Sequence, residues 1–323
     1  MPEPDTGCVV ALRFKALVRN TGIRLAAGGL ALLTACAAPT DAASPPSLPT
    51  PRQQRRLPMR NDSWTRALNT SIDEIERHGP GGYATDNAAL TAFINSFRRD
   101  ERSGRLRFNA AGARPSFCSS AVYAAMLSAL IRWDEKRGAI SAAAWEALRP
   151  KRAGDGVGPW GYANANGPGF ALLVHELGAG ISFTEVSRAQ TWDVLKLWWT
   201  DAIGLTENGH LAMFVRDEGD SIRIWSSNMP LDGASNGYGF KSVPKRRIKH
   251  MLFTRITHPE AFAKASAIGK SDWLASLLRR NVTWEECCRK CAVPIERGSR
   301  RGDRAAMSQT SRRDAPDKNR FPR

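Results

Sequence analysis

From residue 62 onward, apolar positions recur at the spacing of an amphipathic helix. "NDSWTRALNTSIDEIERHG" offers Asp62 and Ser63 as caps and Gly79 as a stop, and "TDNAALTAFINSFRR" repeats the plan with Asp86. "GRLRFN" is a short strand. "PSFCSSAVYAAMLSAL", residues 115 to 130, begins a helix that runs from about Ser116 to Trp133 and reads as buried. "SAAAWEAL" and "GFALLVHELG", which ends at Gly178, are further helices. Between them lies "GDGVGPWGYANANGPG", residues 154 to 169. Its glycine content predicts a mobile loop beside a cleft, and it lacks the "GK[ST]" ending of a phosphate loop.

After Thr191 the period changes. "WDVLKLWW" (192 to 199), "HLAMFVRD" (210 to 217), "SIRIWSSN" (221 to 228) and "KHMLFTRI" (249 to 256) are rich in β-branched and aromatic residues and bounded by turn formers. In "LWW", Trp198 and Trp199 are expected on opposite faces of a buried strand. Helices first and strands second predict an α+β domain, residues 62–292, with N-terminal helices packed on an antiparallel sheet.

Charge changes the picture at the two ends. The chain carries a formal charge of +16 over 323 residues, which would suit nucleic acid if it formed one patch. Instead nine Arg and Lys fall against four acids between Glu296 and Arg323, in a stretch that reads as a disordered basic tail (293–323). "RQQRR" sits in a Pro-rich tether (37–61). Specific nucleic-acid binding is not expected, and an anionic surface such as lipid or wall polymer is favoured. At the front, Arg13, Lys15, Arg19 and Arg24 precede "LAAGGLALLTAC", an apolar run too short to span a bilayer and flanked like an export signal (1–36). The ending "LTAC", residues 33 to 36, resembles the bacterial lipobox. That resemblance implies lipid attachment at Cys36 and a place on the periplasmic side of a bacterial envelope.

The candidate chemistry is a cysteine, a histidine and an asparagine. Cys118 lies at the start of its predicted helix, where the helix dipole favours a thiolate, and a neighbouring imidazolium would favour it further. The strands at 210 and 221 are joined by "DEGDS". A three-residue loop, Glu218-Gly219-Asp220, would oppose residues whose numbers add to a constant and set His210 across from Asn228. The asparagine would then orient the ring of a base serving the thiol, and the Cys118 N–H would help to bind an oxyanion. No metal or organic cofactor is needed. His175 and Glu176 do not complete a metal motif. Cys287, Cys288 and Cys291, on a short helix from about Thr283, lack the fourth ligand of a structural zinc site.

"SFCSSAVYAAML", "AQTWDVLKLWW", "GHLAMFV" and "IRIWSSN" together resemble the papain-like cell-wall cysteine hydrolases of the NlpC and CHAP type, over roughly residues 110 to 256. The resemblance implies a papain-like fold, with Cys118 as nucleophile, His210 as base and Asn228 as orienting residue. It also implies an amide substrate, a peptide bond in peptidoglycan. The glycine that usually precedes the aspartate in that family is Trp192 here, and the segment between Cys118 and His210 is longer, with additional helices. A non-catalytic binding lipoprotein on the same fold, and an acyltransferase with the same nucleophile, are the alternatives. Oligomeric state is not legible.

Overall fold

A computed structural model describes residues 62–230 and 234–294. The export signal with Cys36, the tether (37–61) and the tail from 295 lie outside the described residues.

The helical part comes first. Helix α1 (Ser63–Arg77) is capped by Asp62, whose carboxylate accepts from Thr65 N at 2.8 Å, and α2 (Asn87–Asn95) by Asp86, which accepts from Ala89 N at 2.9 Å. A small hairpin, β1 (Phe97–Arg99) with β2 (Leu106–Phe108), precedes α3 (Cys118–Asp134). Every residue of α3 from Ser119 to Leu130 is buried, so this helix is the centre of the molecule. Its serines and alanines let neighbours approach closely. Helices α4 (Ala142–Leu148), α5 (Gly158–Asn164) and α6 (Gly169–Leu177) surround it.

The second half builds a six-stranded antiparallel sheet from β3 (Gly180–Phe183), β4 (Val194–Trp198), β6 (Gly209–Asp217), β7 (Ser221–Asn228), β8 (Gly237–Pro244) and β9 (His250–Ile256), in the order β3-β9-β4-β6-β7-β8. The short β5 (Ile203–Gly204) pairs with β10 (Asn281–Val282), and α7 (Asp272–Ser276) and α8 (Trp284–Lys290) complete the described chain. The fold is thus α+β with antiparallel sheets.

The sheet is apolar on both faces, because strand residues alternate sides. One face carries Val194, Trp198, Leu211, Met213, Trp225 and Leu252 into the core shared with the helices. The other carries Leu195, Leu197, Ala212, Phe214, Ile224 and Phe253 into a second, sheet-built cluster. Trp198 and Trp199 fall to opposite faces, as expected. Polar side chains tie the helices to the first face: Trp225 Nε1 donates to Glu76 at 3.0 Å and Tyr238 OH to the Ala113 carbonyl at 3.0 Å.

Four sequence expectations need correction. Helix α3 begins at Cys118 rather than Ser116, since Ser116 is bridged to Tyr83 in extended conformation. The glycine-rich stretch contains α5, because burial of Pro159, Trp160, Tyr162 and Ala163 outweighs poor helix propensity. The strand read from 192 begins at Val194, since Trp192 has φ 75, and β8 was unforeseen because two glycines obscure its alternation. The hairpin loop is also shorter. Glu218 N donates to the Ser221 carbonyl, leaving Gly219 and Asp220 as the turn, and Arg216 pairs with Arg223. A bulge between Phe214 and Arg216 then restores the expected phase, with Phe214 opposite Ile224 and Met213 opposite Trp225.

Candidate active site

Carried three residues beyond Met213 and Trp225, that register sets His210 across from Asn228 at the same end of the sheet. Gly209 precedes the histidine for a steric reason: a Cβ there would lie 2.5 Å from the Leu197 carbonyl oxygen. Asn228 is held by its amide, whose Nδ2 donates to the Ser226 carbonyl at 3.2 Å and the Gly239 carbonyl at 2.9 Å. Its Oδ1 is buried without a hydrogen-bond partner. The side chain lies near enough to the His210 ring to favour its protonated form, but the approach stops short of a formed bond.

His210 Nε2 is likewise buried and unpartnered. Burial is the main reason that the ring is pushed down to a pKa of about 4, with the charges of Lys241 and Lys196 adding to it and Asn228 opposing it. The ring is therefore neutral at pH 7. A neutral ring of this low basicity does not supply the imidazolium invoked to favour a Cys118 thiolate.

Cys118 is the first residue of α3 and is half-buried with a free thiol. No acceptor takes its backbone N–H or that of Ser119 among the described residues. The helix start is fixed by Ser120, whose Oγ accepts from Phe117 N at 2.9 Å. Ser116 Oγ donates to Ser227 Oγ at 2.8 Å, which ties the approach to the helix to the residue before Asn228. The three expected site residues therefore belong to one end of the molecule, but the structure joins them unequally. His210 stands opposite Leu197 and shares its sheet face, whereas Cys118 packs against the core containing Leu211 and Met213. No hydrogen bond joins Cys118 to His210 or Asn228 among the described residues.

The structure adds residues that the sequence reading missed. Tyr83 neighbours the thiol: burial, and then the charge of Cys118, hold its phenol well above the usual range. Its position follows from the backbone, since Tyr83 N donates to Asn236 Oδ1 at 2.8 Å and Ala84 N to the Ser116 carbonyl. Asn164, at the end of α5, accepts from Ser119 Oγ at 2.7 Å. Glu207, three residues before His210, pairs with Lys196 at 2.5 Å and accepts from Gly167 N at 2.7 Å and Trp198 Nε1 at 2.9 Å. That carboxylate anchors the "NANGPG" segment beside the strand that bears the histidine. An acid three residues before the histidine was the one available signal for it.

Trp192 explains a departure from the resembled pattern. With φ 75 it occupies backbone space that glycine adopts without strain, and a 2.7 Å bond from its Nε1 to Asn69 Oδ1 and near-complete burial hold it there. Asp193 beside it is buried and paired with Arg255 at 2.7 Å.

The other cysteines stand apart. Cys287, Cys288 and Cys291 are free and buried on and just after α8, which Thr283 caps by accepting from Glu286 N at 3.1 Å. A hydrogen bond to Cys291 and burial hold the Cys287 thiol far above its usual range, and burial pushes Cys288 up to about 12. Among the described residues no group of three His, Cys, Asp or Glu could hold a metal ion, and no helix is long and apolar enough to cross a membrane. Comparison with protein-family models, curated proteins and solved structures finds no match to this chain.

Proposed function

We propose that this protein is a thiol-dependent amide hydrolase of the bacterial envelope, similar to the NlpC and CHAP enzymes, anchored through Cys36 and acting on peptidoglycan peptides. One observation carries the reading: the buried, unpartnered Nε2 of His210, on a ring backed by Asn228, at the sheet end tied to the start of the Cys118 helix. A buried nitrogen without a partner forfeits about 1–3 kcal/mol, and a role in chemistry is one of the reasons such a group is kept.

In this mechanism Cys118 Sγ attacks the substrate carbonyl and His210 is the proposed proton acceptor; because its ring lies on the sheet face away from α3, the proton has to reach it around the strand end rather than across a direct hydrogen bond. The protonated ring then gives that proton to the departing amine, and water hydrolyses the thioester with His210 again as base. Asn228 limits the ring's orientations. Hydrogen bonds of this kind are often loose before substrate arrives and tighten in the complex. The depressed basicity of His210 excludes a permanent cation and makes the ring a weak proton acceptor, so substrate binding has to raise its basicity for this role.

The placement of His210 on the face away from α3 favours a second reading, a binding module of the envelope on the same fold. Iodoacetamide labelling of Cys118 against pH, with His210→Ala beside the native protein, separates the two. Fast labelling that the variant loses, with release of peptide from peptidoglycan fragments, supports the hydrolase. Slow labelling that the variant leaves unchanged supports the binder. Transfer of the acyl group to an added amine instead of water would identify an acyltransferase.

A further inference from the structure

We infer that the cavity between the β1–β2 hairpin and α4 binds the phosphate headgroups of anionic phospholipid. Docking there lays the domain on the membrane, and in this it rests on the Cys36 anchor proposed above. The cavity, of about 360 Å³, is lined by Arg98, Arg99 and Arg149 together with the apolar Ile94 and Phe97. Residues 98–107 carry five arginines against two acids. In the hairpin register Arg98 stands directly opposite Arg107, and both are exposed. Like charges opposed across a ribbon destabilise it, so folding alone does not favour this pair. Asp100 is the partner of Arg107, and Arg105 is committed to Asp134 at 2.9 Å. The side chains of Arg98 and Arg99 have neither hydrogen bond nor ion pair among the described residues.

The α4 side adds charge of the same sign. Glu146 gives both its oxygens to Arg149, at 2.7 and 3.0 Å. Those bonds first, and then the charges of Arg149, Lys151 and Arg99, hold its carboxyl below the usual range, so three cations gather around one carboxylate. The excess positive charge suits an anion, and guanidinium forks match the oxygens of phosphate.

A second basic cluster shows why this face is the one. In "KRRIK", residues 245 to 249, Lys245 is paired with Asp217 at 2.6 Å and Lys249 with Asp201 at 3.3 Å. Acids of the same domain meet that charge, whereas nothing meets the charge of Arg98 and Arg99. The sequence before Asp62 imposes no preference of its own, since a Pro-rich tether over 37–61 reaches roughly 75 Å, more than the width of about 45 Å expected for a domain of this size. Either side can therefore face the bilayer, and attraction to anionic headgroups, about 5-fold for each arginine, selects the hairpin side.

The test is binding of residues 36–323, with Cys36→Ser so that no lipid is attached, to vesicles of phosphatidylglycerol mixed equally with phosphatidylcholine and to vesicles of phosphatidylcholine alone. The native domain should favour the anionic vesicles. Arg98→Gln/Arg99→Gln, which leaves no partner unpaired, should weaken that binding about 25-fold, whereas Arg246→Gln/Arg247→Gln, with the same change of charge, should weaken it less than about 3-fold. Equal losses in the two variants would reduce the attraction to net charge and overturn the site. Glycerol 3-phosphate in millimolar excess should leave vesicle binding in place; displacement by it would assign the cavity to a soluble phosphate ester and overturn membrane docking. A native domain without preference for the anionic vesicles would also overturn it and leave the anchor standing, because the mass of the mature N-terminus reports lipid at Cys36 independently.

Discussion

The two cysteine-bearing helices of this protein present the same side chain in opposite settings. On α3 the thiol is the first helical residue, half exposed, with unpaired N–H groups beside it and a neutral imidazole at the same end of the sheet. On α8 the thiols lie later in the helix, buried, and two of them are held strongly protonated. A thiol reacts through its thiolate, so position along a helix and access to water decide what a cysteine is for.

The largest test of the contrast is loss of activity. Cys118→Ala should reduce release of peptide from peptidoglycan fragments by ~10⁴-fold or more, while Cys288→Ala keeps activity within about 3-fold. Equal losses in the two variants would erase the distinction.

A second test concerns stability. Glu207→Ala would leave Lys196 buried without its partner, and removal of one member of a buried pair lowers stability by about 3–5 kcal/mol. Glu207 also lies near Cys287. Urea titration should show the loss, and iodoacetamide should then reach the α8 thiols more readily; an unchanged midpoint would mean that the pair contributes nothing.

The third follows from His210. Below pH 6.5 the unfolded chain takes up a proton that the folded ring refuses until about pH 4. Stability should therefore be full above pH 6.5 and fall as pH drops across that window, by roughly 3 kcal/mol in all. Denaturation at pH 7 and pH 4.5 should show the fall in native protein and much less of it in His210→Gln. Equal pH dependence in both would place the effect elsewhere.

The smallest test sharpens the contrast from the α8 side. Thr283→Ala removes a helix cap worth about 1 kcal/mol. Local opening of α8 should raise labelling of Cys287 and Cys288 about 5-fold and leave Cys118 unaffected. A matching rise at Cys118 would point to global loosening.

What could be read from the residues alone followed a physical division. Caps at Asp62, Asp86 and Thr283 are local chemistry and were legible, as were the strands of His210 and Asn228, because alternation is a property of one segment. The α5 helix was not, since its glycines disfavour helix and only packing of Trp160 and Tyr162 decides the matter. Tyr83 and Asn164 were missed for a related reason. Tyr83 feels the charge of Cys118 and Asn164 bonds Ser119 through contacts between residues some 35 to 45 positions apart, which no local pattern encodes. The hairpin was half legible: its loop was misjudged by one residue, and the bulge restored the register.

That bulge has a bearing on how the chain can vary. The strands β6 and β7 are interior strands, gripped on their outer sides by β4 and β8. The pairing of Met213 with Trp225 is therefore set by neighbours and by the extra residue at Val215, not by the turn at Gly219 and Asp220. Insertions at that exposed tip should be tolerated, because length added there is absorbed before it reaches the histidine. Lineages can rewrite the hairpin's outer end, and engineers can graft a peptide or reporter onto it, without disturbing the end where the chemistry is proposed.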